Sequence, residues 1–192
     1  MKIKTSIIVA ILFSVCLFSC KTEPSDSTNE TKDSSTSTEM VDVADLDMEW
    51  KTFEHEKFSI SYPANWSVES IAQTEFAAQE GTTSASDNIS ENMNVVIEPS
   101  KFQGNMKQYL EASKKGIRQG FNDVIFESSQ KITNDYSELI WTDPDPSADL
   151  RFFQYFWLVN KQGYIVTMTC NPDQADDYYP IARAVAETFT VK

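Results

Sequence analysis

The sequence predicts an α+β domain: an antiparallel β-sheet of about five to seven strands covered by helices. Three observations support that class. Several segments alternate apolar and polar residues with a period of two, the mark of strands with one face buried. Other segments place apolar residues three and four apart, as helices do. The strand-like segments also follow one another across short turn sequences, which suits antiparallel neighbours better than parallel strands linked by helices.

The alternation begins in "FSISYPANWSV", where Phe58, Ile60 and Tyr62 share one face and Ser59 and Ser61 the other. Pro63-Ala64-Asn65 interrupts the run, and Trp66 and Val68 resume it. In "MNVVIEP", Met93, Val95 and Ile97 again fall on one side. The period then changes. In "NMKQYLEASKKGIRQGF", Met106, Tyr109, Leu110, Ser113 and Ile117 stand at helical spacing, with Lys107, Lys114, Lys115 and Arg118 mostly on other faces. Gly120 sits where such a helix ends. Strands are expected in "DVIFESSQKI", "YSELIWT" and "LRFFQYFWLVN". The last is apolar on both faces, through Phe152, Phe153, Tyr155, Phe156, Trp157 and Leu158, so it belongs inside a sheet covered on each side. Asn160-Lys161-Gln162-Gly163 reads as a tight turn into "YIVTMTC", which makes an antiparallel hairpin. A closing helix lines Ile181, Ala182, Val185 and Phe189 along one side, with Pro180 expected in its first turn. Asp176 and Asp177 near its start suit the helix dipole.

"FSISYPANWSV" resembles the F-x-[IV]-x-[YF]-P-x-x-W opening of the PsbP-like fold, a group that also holds bacterial DcrB-type envelope proteins and a nuclear import factor that binds Ran. "GYIVTMTC" and the helix "YYPIARAVAETFTV" resemble the last strand and closing helix of the same group. The likeness spans residues 48–192. It implies an antiparallel sheet sandwiched by helices, and roles in binding and assembly that differ between members.

The chain starts with Lys2 and Lys4, followed by the apolar run Ile7 to Phe13. A basic start and an apolar core of this length form a secretory signal, too short for a comfortable membrane span. A buried helix here would find nothing nearby to pack on, because the chain turns polar at Lys21. Leu17-Phe18-Ser19-Cys20 resembles the bacterial lipobox, with an aliphatic residue three before the cysteine and a small one next to it. Cys16, preceded by Val15, fits less well, and Phe18 is bulky for its slot. The resemblance implies that residues 1–19 are removed, that the Cys20 thiol receives a diacylglyceryl group, and that the freed amine is acylated too. Two or three acyl chains hold firmly at about 0.8 kcal/mol per buried CH₂. Lys21 follows the cysteine where an inner-membrane retention signal would carry aspartate, so an outer-membrane anchor is expected, facing the periplasm or the cell surface. Residues 20–47, rich in Ser, Thr, Asp and Glu, read as a disordered tether reaching about 25–30 Å r.m.s.. Residues 48–192 form one domain, able to bury about 70% of its unfolded surface.

The formal charge is −13; loss of Lys2 and Lys4 leaves 14 basic against 29 acidic residues, or −15. Such a chain suits neither nucleic acid nor anionic headgroups, so the anchor and not surface charge must hold it to the membrane. With Cys20 acylated, Cys170 has no intrachain disulfide partner. Alternation with Tyr164, Val166 and Met168 places it on the apolar side of a strand, as a buried small hydrophobe.

No catalytic or cofactor motif stands out. His55, the single histidine, lies in the polar "FEHEKF", and no third group can orient a Cys170–His55 dyad. "DPDPSAD" sets Asp143, Asp145, Ser147 and Asp149 at alternate positions, like the first half of a calcium loop. The glycine and the bidentate glutamate of such a loop are replaced by Ala148 and Gln154, so an acidic hairpin loop is the simpler reading. Trp50, Trp66, Trp141 and Trp157 are expected in the core, unless they line an apolar pocket. The expectation is therefore a lipid-anchored envelope protein, without enzyme activity, cofactor or metal, acting as a binding or assembly module for a protein partner. A carrier of a small apolar ligand is the second expectation, and a hydrolase the third.

Overall fold

Residues 46–81, 90–145 and 149–192 are described by the computed structural model, so Cys20, most of the tether and Ser147 lie outside the described residues. The strands are β1 (Trp50–Glu54), β2 (Phe58–Pro63), β3 (Ser67–Val68), β4 (Phe76–Gln79), β5 (Asn92–Ile97), β6 (Ile125–Lys131), β7 (Tyr136–Asp143), β8 (Leu150–Val159), β9 (Gln162–Cys170) and β10 (Thr190–Val191). The helices are α1 (Met106–Gly120) and α2 (Ala175–Thr188). A large sheet runs β3-β4-β5-β9-β8-β7-β6 and a small one β1-β2-β10, and every pairing is antiparallel. The α+β class read from the sequence is the observed one.

β8 explains the layering. Phe153, Tyr155 and Trp157 join a core with α2 and the small sheet, through Phe58, Ile60, Val185 and Phe189. Phe152 and Phe156 point the other way, into a second core with Tyr109, Leu110 and Ile117 of α1. A strand apolar on both faces is thus covered on both. Trp66, Trp141 and Trp157 are buried, and Trp50 packs against the first core. The start of α1 is fixed by Asn105 and Gln108, whose side chains each accept from the other's backbone N–H at 3.0 Å.

Two local expectations need correction. Pro180 lies inside α2 and not in its first turn. A 3₁₀ turn, Pro172–Gln174, leads into the helix and moves its start back to Ala175. The backbone bond that Pro180 cannot donate would go to Asp176, an exposed first-turn residue whose carbonyl can face water. In the β8–β9 hairpin, Asn160 and Lys161 adopt φ of 51° and 68°, the twist-matched two-residue turn, and Gly163 belongs to β9. Short strands β1, β4 and β10 complete the sheets beyond the segments read as strands, and β3 falls where the alternation resumes at Trp66 and Val68.

Candidate functional site

On the α2 side, β7 presents Tyr136, Glu138 and Ile140 in alternation, so a carboxylate interrupts an otherwise apolar face. Opposite it on α2 stands Arg183. The two side chains are 0% and 1% exposed, with Arg183 Nη1 3.6 Å from Glu138 Oε2. Glu187, one turn further along, approaches Arg183 Nη2 at 3.3 Å. Glu138 is otherwise well satisfied: Gln130 Nε2 donates to Oε1 at 2.8 Å, and the Tyr179 hydroxyl donates to Oε2 at 3.2 Å. Arg183 is not. Its Nε and Nη1, with the hydroxyls of Tyr136 and Tyr155, are buried without a hydrogen bond. Burial, partly offset by the Arg183 charge, pushes the Tyr136 hydroxyl up to about 12. Burial, assisted by the Glu138 carboxylate, drives Tyr155 well above its ordinary value. Both phenols therefore remain neutral.

A cleft of about 300 Å³ opens beside this network, between the first turns of α2 and the edge of the large sheet. Ser128 and Gln130 of β6, Glu138, Arg151, Asp176 and Tyr179 supply its polar lining. Phe153 and Tyr179, with ring centroids 5.4 Å apart, give it an aromatic side. Arg151 is held at 2.5 Å by Glu127 of β6. The cleft thus combines fixed charges, amide and hydroxyl groups and an aromatic side.

The residues singled out in the sequence lie elsewhere. Cys170 ends β9 fully buried, and burial, with the nearby Glu91 charge, pushes its thiol up to about 12. That is the reverse of an activated thiolate. His55 sits in the β1–β2 turn of the other sheet. Its Nδ1 accepts from the Lys57 amide at 3.3 Å, and its Nε2 lies 3.5 Å from Glu75. The two residues are not brought together. Asp143, at the end of β7, accepts from the Asp145 amide at 3.2 Å, an Asx turn that starts the acidic loop. Among the described residues, no three acidic, cysteine or histidine side chains gather as metal ligands do. No described helix is long and apolar enough to cross a membrane.

No protein-family model matches the chain, and no curated protein matches it. Solved structures do. The solution structure of PsbP (CyanoP) from the cyanobacterium Synechocystis sp. PCC 6803 is similar with a TM-score of 0.56 and 12% identity, covering 74% of this chain and 92% of that one. The fold is PsbP-like. A crystal structure of LpqN from Mycobacterium tuberculosis, described as involved in cell envelope biogenesis, is similar with a TM-score of 0.54 and 10% identity, covering 78% and 94%. At such identities the likeness is one of fold alone.

Within this PsbP-like fold, the Arg183–Glu138 network escaped the sequence reading, although one signal for it was present. Tyr136-Ser137-Glu138-Leu139-Ile140 puts a charge on a face that is otherwise apolar, and a charge seldom occupies such a place without a partner. Finding that partner on α2 requires the tertiary packing.

Proposed function

We propose that this chain is a lipid-anchored cell-envelope protein whose PsbP-like domain is a non-catalytic binding or assembly module for another protein. Acylation at Cys20 would hold it to the outer membrane, with residues 20–47 as tether and residues 48–192 as the working domain. The resemblance of the opening motif to that of DcrB-type envelope proteins favours this compartment. The fold-level likeness to LpqN, a protein of cell envelope biogenesis, favours it too.

One contrast carries the reading. The thiol that nucleophilic chemistry would need stands in the large sheet and the imidazole in a turn of the small one, with the thiol buried and its pKa raised. A polar cleft with a built network behind it opens instead at the edge of the larger sheet. An apolar carrier would need space between helix and sheet. The α2 interface is occupied there by Phe58, Phe153, Tyr155, Trp157 and Phe189, which favours a protein partner over a small apolar ligand.

The test is in-cell photocrosslinking from two positions. A photoreactive residue at Ser129, on the β6 edge, should give one recurrent protein adduct, and the same residue at Glu56, in the β1–β2 turn, should not. Identical adduct patterns from both positions, or none from either, would contradict the binding role.

A further inference from the structure

The cleft and the edge of the sheet share one strand. Ile132 N donates to Tyr136 O at 3.2 Å. Gln130 then pairs with Glu138 and Ser128 with Ile140, two and four residues along. Residues that bond across an antiparallel ladder alternate with residues that do not. Gln130 and Ser128 therefore turn their backbone toward β7, and Ser129 and Lys131 turn theirs outward. β6 is the last strand of the sheet among the described residues, and the backbone groups of Ser129 and Lys131 meet no other backbone group among them. A bulge between Phe126 and Ser128 limits the regular edge to Ser128–Lys131, as edges that avoid indiscriminate pairing are limited.

The side chains of Ser128 and Gln130 line the cleft, so a strand laid along β6 would project alternate side chains over it. The charges around it are unequal. Arg151 is engaged by Glu127, and Arg183 is shared by Glu138 and Glu187. Asp176 adds a further carboxylate at the rim. The cleft lining itself thus carries two carboxylates, Glu138 and Asp176, against one guanidinium, Arg151, which Glu127 already engages and which also lies over the Phe153 ring.

We propose that β6 accepts an extended basic segment of a partner protein as an added strand, with one lysine or arginine side chain entering the cleft beside Glu138 and Asp176. Backbone bonds to Ser129 and Lys131 supply affinity, and the cleft supplies selectivity. The proposal rests on the binding-module reading but is independent of the anchor.

The full-length protein, extracted in detergent, is titrated with a synthetic threonine–valine peptide carrying one central arginine, and with the same peptide carrying glutamine there. The arginine peptide should bind about tenfold more tightly. Asp176→Asn should reduce that preference without weakening the glutamine peptide. Ser129→Pro removes an N–H that the sheet does not use, so the fold should persist while both peptides lose binding. In the wild-type chain, the arginine peptide should slow amide exchange at Ser129 and Lys131 and leave Trp50–Glu54 unchanged. The proposal is overturned if arginine gives no advantage, if no exchange protection appears on β6, or if a folded Ser129→Pro variant binds as before. Peptide binding that survives in the unacylated Cys20→Ala protein supports the edge site separately from the anchor.

Discussion

A Cβ added at Gly163 would lie 2.4 Å from the Tyr109 hydroxyl oxygen and 2.7 Å from its Cζ. Tyr109 cannot swing aside easily, because its ring is buried, with neighbours Phe102 at 5.2 Å and Phe156 at 5.8 Å. Its hydroxyl also meets Glu98, a carboxyl whose pKa burial raises. Gly163→Ala should therefore cost about 1–3 kcal/mol by overpacking, read as a lower denaturation midpoint. In a Tyr109→Leu background the same change should cost clearly less, since both nearest atoms are gone; equal costs in both backgrounds would show that the contact is not the cause. In the sequence this glycine looked like a turn residue. The hairpin instead places Asn160 and Lys161 in the left-handed region, and the need for glycine at 163 comes from a helix 54 positions earlier in the chain. Local patterns carry turns well, but they carry no record of which distant side chain crosses a strand.

α2 shows the same divide at the scale of an element. Its apolar side, Ala182, Val185 and then Phe189, was legible from spacing alone and packs as expected. The place of Pro180 was not, because the 3₁₀ turn ahead of it shifts the helix start. Arg183 sits among the buried residues of α2, answered by Glu138 on β7. Removing one member of such a pair strands a buried charge, so Arg183→Met should cost about 3–5 kcal/mol. Arg183→Met combined with Glu138→Leu should recover most of that loss, with stability read by urea denaturation. If the single and double variants were equally unstable, the pair would not be coupled, and the network would be ordinary packing. The two-sided character of β8 was the most legible feature, because eight apolar residues within one strand leave no solvent face to choose.

For the molecule as a whole, two cores lie on either face of a seven-stranded sheet, and α2 and the small sheet close one of them. Alternation and helical spacing were sufficient to reach that class, since burial on a sheet or a helix imposes a fixed period. Strand order was less accessible, because β10 pairs with β2 across the entire domain. The cleft was inaccessible for the same reason, being assembled from β6, β7, β8 and α2. A formal charge of −13 disfavours contact with anionic lipid, so the membrane attachment proposed above would have to be covalent. Labelling cells with radioactive palmitate tests that attachment directly. The account predicts that the mature protein carries the label in the membrane fraction and that Cys20→Ala is unlabelled and retains residues 1–19. An unlabelled wild-type chain that keeps those residues would contradict it.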